Sequence, residues 1–357
     1  MERYQKIIFT ALRWILGSVF VCSGIFKCVD PIGTSIFVDK YLATYSLEAL
    51  MPASEIIAVA LSVLEFTLGV LLIEGAYAAI VSMATMVVLA LFTIITLLSA
   101  TVLPIGDCGC FGDALKLSPW ATFFKNIVML PMAFMLWRYG KREAGNVRRD
   151  VVMLVVALLI PLFINIYSLR HLPLVDFMPY KVGVNLRERV LEERIMQQES
   201  VRSQLRFRDK LSGEVVCFDA TDSSCWTNDN LEYVDAVTTV DELPEMLYSE
   251  FLLYNSEGDD VSTDVLQSDG RVVLLCINDA ESLDDRCMRG IENLYSQYPA
   301  SYVYVLSAAS SDEYNVAYES ECLKVDAMTL RAIIRADVGV LVLKDGVVEF
   351  KANICDI

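Results

Sequence analysis

The sequence predicts an α-helical membrane bundle of four helices, a fifth transmembrane helix, and then an α+β region outside the membrane. Three observations predict it. Five apolar stretches approach the roughly 20 residues needed to cross a bilayer. Charge divides sharply near residue 170. Residues 1–170 carry 13 Lys+Arg and 11 Asp+Glu, a net +2, whereas residues 171–357 carry 16 and 35, a net −19. Mean hydropathy is +0.46, which fits a chain that lives in two solvents.

The spans are taken in order. Stretch 7–26 is interrupted by Arg13, 56–73 by Glu65 and 117–137 by Lys125. Stretches 76–103 and 151–169 are uncharged, and the latter contains Pro161. The first has too long an apolar core for a signal peptide, and no small-residue cleavage site leads from it into a soluble region. The loop Lys141-Arg142-Glu143-Ala144-Gly145-Asn146-Val147-Arg148-Arg149 is strongly basic. The positive-inside rule puts it in the cytoplasm. The N-terminus, with Arg3 and Lys6, then lies inside as well. An odd helix count sends everything after Arg170 to the periplasmic side of the inner (cytoplasmic) membrane. The loop 28–51 and the segment 107–115 face the same way. The inverted topology would put the −19 region in the cytoplasm.

After the fifth span, 187–204 reads as a short surface helix. Runs 204–209 and 214–219, joined by Lys210-Leu211-Ser212-Gly213, read as a hairpin, and 231–240 as a further strand. Runs 251–254 and 260–265 flank the turn Asn255-Ser256-Glu257-Gly258. Then come a buried-type strand (271–277), a helix (280–298), a second buried strand (301–307), a helix (327–334), and strands 340–343 and 347–351 around Lys344-Asp345-Gly346. This order resembles the thioredoxin fold. The resemblance stops at the active site. Where thioredoxins carry C-x-x-C, this chain has Asn278-Asp279-Ala280-Glu281-Ser282, and where they carry a cis-proline it has Asp337-Val338-Gly339. The expected organisation is a bundle over 1–140, a basic loop and fifth helix over 141–170, an acidic β-rich segment over 171–250, and a degenerate thioredoxin-like α/β domain over 251–357.

Composition excludes several functions. An outer region this acidic repels nucleic acid and anionic lipid. The single histidine, His171, leaves no basis for a His-based metal site or triad. Ten cysteines are present, but no C-x-x-C occurs, so spacing must decide their roles.

The run Asp107-Cys108-Gly109-Cys110-Phe111-Gly112-Asp113 lies between the third and fourth spans. Ser118 can cap the fourth helix, with Pro119 at its first position. Two thiols then lie at the outer surface near a helix N-terminus, where a thiolate is favoured, in an oxidising compartment. A disulfide closed across one glycine should be easily reduced. Spacing alone leaves three readings open: a redox pair, a soft-metal pair, or no chemistry.

Cys28, beside Asp30-Pro31, stands at the outer end of the first helix and is a candidate relay to Cys108 or Cys110. Cys22 reads as packing. Arg13 and Glu65 sit at depths that allow an ion pair holding the bundle together. Lys125 lies just below the outer face and is a candidate to polarise a thiolate or a bound quinone. In the outer domain, Cys217 and Cys225 could bridge, Cys276 reads as core, and Cys287, Cys322 and Cys355 have no readable partners. Asp222 and Trp226 stand in a polar loop, where a local packing plug is the plainer reading.

Three pieces carry a family resemblance: Gly17-Ser18-Val19-Phe20 with Ser23-Gly24-Ile25-Phe26-Lys27 and Asp30-Pro31; Glu65 with Gly69; and Cys108-Gly109-Cys110-Phe111-Gly112 with Leu117-Ser118-Pro119-Trp120. Over about residues 5–140 the chain resembles the DoxX/MauE family in its Bacteroidetes-type form. The resemblance implies a redox-associated membrane protein, since MauE-type proteins support disulfide formation during methylamine dehydrogenase maturation and are similar in architecture to vitamin K epoxide reductases. The long acidic domain departs from MauE, so methylamine metabolism is not implied. Two functions follow as expectations. One is a membrane thiol–disulfide oxidoreductase acting on extracytoplasmic thiol proteins, with quinone as the candidate cofactor. The other is a non-catalytic anchor that presents a thioredoxin-like binding domain to an assembly partner.

Overall fold

The computed structural model describes residues 2–102, 109–140, 146–219, 222–240, 246–309 and 320–357. The chain opens with α1 (Glu2–Val29) and α2 (Pro31–Thr44), then α3 (Ser54–Glu74), α4 (Ala78–Thr101), α5 (Pro119–Tyr139) and α6 (Val147–Arg170). Among the described residues five segments are long and apolar enough to span a membrane: Tyr4–Val29, Glu48–Glu74, Ala78–Thr101, Pro119–Tyr139 and Val147–Arg170. Their outward faces carry exposed apolar side chains such as Ile56, Ile80, Val128 and Phe163. Such a belt belongs in hydrocarbon rather than water.

In lipid, burying apolar area drives little helix association, so close backbone approach takes over. The α1–α3 contact shows this. A Cβ on Gly24 would lie 2.6 Å from Phe66 N, and one on Gly69 2.6 Å from Val21 N. Between the two helices Leu16, Phe20, Leu68 and Leu72 fill the core. α6 joins them through Thr67, whose hydroxyl donates to Ala157 O at 3.0 Å.

The expected 28–51 loop is largely helical. Asp30 Oδ1 accepts from Gly33 N at 2.7 Å and Pro31 opens the helix, so α2 starts one residue after α1 ends and packs on α3. The expected Arg13–Glu65 pair does not form. Arg13 instead donates from Nε and Nη2 to Leu72 O and Ile73 O, both at 2.8 Å. These are carbonyls in the last turn of α3, the negative end of the helix dipole, which attracts a cation.

Beyond α6, α7 (Leu186–Ser200) runs directly into β1 (Val201–Asp209), which pairs with β2 (Val215–Asp219) and β3 (Leu231–Val240) in a three-stranded antiparallel sheet of order β2-β1-β3. α7 is less of a surface helix than expected, since Leu186 and Val190 are buried. The 260–265 run turns into α8 (Ser262–Gln267). The last sheet holds β4 (Arg271–Ile277), β5 (Val303–Ser307), β6 (Glu321–Lys324), β7 (Val338–Lys344) and β8 (Val347–Asn353), in the order β6-β5-β4-β7-β8. β4, β5 and β6 are parallel, and β7 and β8 antiparallel. β6 has no counterpart in the sequence reading. α9 (Asp285–Gln297) covers one face, over Val273, Leu275 and Val340. α10 (Ala327–Ile333) and α7 cover the other, over Leu274 and Leu341. Burial on both faces explains why β4 and β7 read as continuous apolar runs.

This sheet docks on one end of the bundle. Arg335, just after α10, meets Asp30 Oδ2 at 3.2 Å with both side chains almost fully buried. His171 meets Asp356 at 2.6 Å and Lys351 meets Asp176 at 2.6 Å. Asp30 therefore caps α2 with one oxygen and holds the C-terminal region with the other.

Candidate functional site

The thiol segment enters the described structure at Gly109; Cys108 and Asp107 lie outside the described residues. Gly109 and Gly112 both adopt positive φ (61° and 55°), which glycine alone takes freely. A Cβ on Gly109 would also meet the Phe37 ring at 2.8 Å. These two glycines turn the Cys110 backbone down onto the docked end of the bundle. Downstream, Ser118 Oγ accepts from Ala121 N at 3.2 Å and Pro119 starts α5, as the sequence predicted.

Beneath the turn is a buried polar cluster. Lys27 Nζ donates to Ser23 Oγ (2.8 Å), Glu65 Oε2 (2.8 Å) and the Cys110 carbonyl (2.5 Å). Ser23 Oγ stands 2.6 Å from Glu65 Oε2 and 2.5 Å from Cys110 O; its single proton serves one of them at a time. Ser23, Lys27 and Glu65 are 9%, 5% and 2% exposed. Three elements thus converge: α1 supplies Ser23 and Lys27 one turn apart, α3 supplies Glu65, and the thiol turn supplies a carbonyl. Glu65 pairs with Lys27 rather than with Arg13, about two helical turns away along α3. A lone charge here would be strongly unfavourable, so the pair and its hydrogen bonds stand or fall together.

Lys125 lies near this cluster but touches it differently from expectation. Its Nζ sits 4.9 Å from the Phe111 ring centroid, a cation–π distance. With Ser23, Glu65, Cys110 and Asn126 it lines a cavity of about 20 Å³, room for one water. Phe111 packs edge-on to Phe26. Lys27 is the residue the sequence reading missed. The signal was there: Ser23 and Lys27 stand at i,i+4 on one helix face, opposite a carboxylate in the neighbouring span.

Cys28 does not stand at an accessible surface. It has no exposed area, and its sulfur accepts from Asn165 Nδ2 at 3.3 Å, beside Ser62. It fills the α1–α3–α6 contact, so the relay role is corrected to packing. Cys22 reverses in the other direction and is exposed. Cys217 and Cys225 are not bridged: Cys217 is exposed, while Cys225 is buried and its thiol donates to Asp222 O at 3.0 Å. Trp226 stacks on Tyr233 and meets Phe207 edge-on, a local plug. Cys276 is buried in β4. Its thiol, outside the membrane segments, is pushed up to about 12 by burial.

Among the described residues one disulfide forms, Cys287–Cys355. Cys287 lies in the first turn of α9, where Asp284 Oδ1 accepts from its backbone N at 2.8 Å. The thiol-free turn before α9 is stitched to the segment after α10: Asn278 Nδ2 donates to Ala336 O at 2.7 Å, and Asn278 N to Asp337 O at 2.7 Å. Among the described residues no group of three or more His, Cys, Asp or Glu is placed to hold a metal.

Five spans, a lipid-facing belt and a polar cluster sealed inside the bundle define a multi-pass membrane protein with an appended α+β region. Residues 5–138 match the family model described as methylamine utilisation protein MauE. That segment runs from the start of α1 to the end of α5 and contains Ser23, Lys27, Glu65 and the Cys110 turn. No curated protein and no solved structure matches the chain.

Proposed function

We propose that the protein is a membrane-bound thiol–disulfide redox component of the cytoplasmic membrane, with Cys108 and Cys110 as its exchanging pair. Its N-terminus lies in the cytoplasm and its C-terminal region in the periplasm. One observation carries the reading: the Cys110 carbonyl is clamped by Lys27 and Ser23 over the buried Glu65. Ordinary loops leave their carbonyls to water. Here two buried side chains hold one thiol-bearing residue at the bundle end, within the segment that matches MauE. The Cys287–Cys355 disulfide supports an oxidising compartment for the C-terminal region. In the exchange, two client thiols become a disulfide as the Cys108–Cys110 disulfide becomes two thiols. Reoxidation passes two electrons and two protons to a membrane quinone.

A second reading keeps a specific observation: no thiol occupies the Asn278–Ser282 turn that leads into α9. The strand order β6-β5-β4-β7-β8, with β7 and β8 antiparallel, supports a thioredoxin-like sheet whose usual edge strand is replaced by β6. On this reading the domain binds a client or assembly partner without chemistry, and the bundle anchors it.

The test is a Cys110→Ser chain in native membranes. Mixed disulfides between Cys108 and periplasmic proteins, absent from Cys276→Ser, are expected. Capture of none would leave the anchoring reading in place.

A further inference from the structure

α1 packs along α3 and α4 along α5, whereas α3 and α4 meet far less closely. Between them lies a cleft of about 430 Å³, within the ~300–1,000 Å³ range of small-molecule sites. Its walls are apolar: Leu61 on α3, Phe92 and Ile95 on α4, Phe37 on α2. Both flanking helices are membrane spans, and Leu98 at the rim is exposed, so the cleft opens sideways at membrane depth. Its polar end is the cluster already described, since Lys27, Glu65 and Cys110 line it too.

We propose that this cleft seats the ring of a lipid-soluble quinone. The proposal rests on the thiol–disulfide reading and names where its electron acceptor binds. Two polar atoms fit a quinone and nothing charged. Tyr45 lines the cleft, and its hydroxyl is buried with no hydrogen-bond partner among the described residues; it can donate to a quinone carbonyl. Glu65 takes its hydrogen bonds on Oε2. Its Oε1 receives none from a described residue and can accept from the hydroxyl of a quinol. A phospholipid phosphate finds no such match. The cation here, Lys27, already directs three hydrogen bonds to Ser23, Glu65 and Cys110 O, and an ammonium has three protons. The electron balance closes. Cys108 and Cys110 lose two electrons and two protons as their S–S bond forms, and both quinone carbonyls become hydroxyls. The quinol leaves into the bilayer through the apolar rim.

The probe is a short-chain azido-ubiquinone, photolysed with the full chain in phosphatidylcholine nanodiscs and mapped by mass spectrometry. We expect adducts on α3 and α4 around Leu61 and Ile95, displaced by unlabelled short-chain ubiquinone. Leu61→Trp, which fills the cleft, should lower labelling at least tenfold. Val87→Trp, on an exposed part of α4, should leave it unchanged. Tyr45→Phe, nearly isosteric, should weaken binding several-fold with the fold intact. No adduct, an adduct elsewhere, labelling unmoved by Leu61→Trp, or equal displacement by added phospholipid would overturn the site. Binding is read without turnover, so the two readings fail separately. Quinone in the cleft with inert thiols upholds the site and removes the thiol reading. Thiol exchange without an adduct does the reverse.

Discussion

The docked end of the bundle and the five-stranded sheet it carries solve opposite problems. In the sheet, Leu274, Leu275, Val340 and Leu341 are fully buried between helices on both faces, and removing that area from water supplies the stability. In the bundle the solvent is itself apolar, so burial of leucine decides little. There the arrangement is set by glycine contacts between α1 and α3 and by Ser23, Lys27 and Glu65. The difference teaches where to look for function. Polar groups are the costly element in the membrane, and the buried Lys27–Glu65 ion pair lies under the turn that carries Cys110.

Removing half of the buried pair should have the largest effect. Glu65→Leu leaves Lys27 as an uncompensated buried charge, and we expect a loss of about 3–5 kcal/mol, read by unfolding in nanodiscs. Lys27→Met combined with Glu65→Leu should recover most of that stability, yet leave the Cys110 turn unclamped and its thiol faster to react with a maleimide. If the double variant is no more stable than Glu65→Leu, the pair is not the unit described here.

A leucine comparison sharpens the contrast. Leu275→Ala, in the sheet core, should lose about 2–5 kcal/mol. Leu91→Ala, more than half exposed on α4, should change stability by less than about 0.5 kcal/mol. Similar losses at both positions would mean that the α4 surface is covered by protein rather than lipid.

The smallest effect is alkaline. Burial raises the Cys276 thiol from its usual 9 to about 12. The folded state keeps a proton there that the unfolded chain gives up. The associated stability is therefore whole below pH 9 and is lost as pH climbs from 9 towards 12. Melting of the full chain should fall between pH 8.5 and 11, and Cys276→Ala, less stable at pH 8, should show a shallower fall. An unchanged slope would place the alkaline sensitivity elsewhere.

Much of this was legible in the sequence, for identifiable reasons. The spans are long and apolar, and β3 and β4 were readable to the residue because ten- and seven-residue runs average out local noise. β6 is four residues at a sheet edge, Glu321-Cys322-Leu323-Lys324, too short to show a period. α2 is legible only in its start, Asp30-Pro31, because a helix of 14 residues is too short to show as a span. Arg13 and Glu65 do not pair because similar depth does not make two side chains face each other. Ser23 and Lys27 share a face with Glu65; Arg13 lies two turns lower and caps α3. The Cys287–Cys355 bridge joins residues 68 apart, a distance no local pattern encodes.

The central claim is that Cys110 belongs to a labile redox pair while Cys287–Cys355 is a structural bridge. Differential alkylation with mass spectrometry in native membranes, across a graded series of reductant strengths, tests it directly. Cys108 and Cys110 are expected to be oxidised together and to open at mild reductant, well above the roughly −300 mV typical of structural disulfides, while Cys287 and Cys355 stay joined. Cys108 and Cys110 fully reduced before any reductant is added, or opening only with the Cys287–Cys355 bridge, would contradict it.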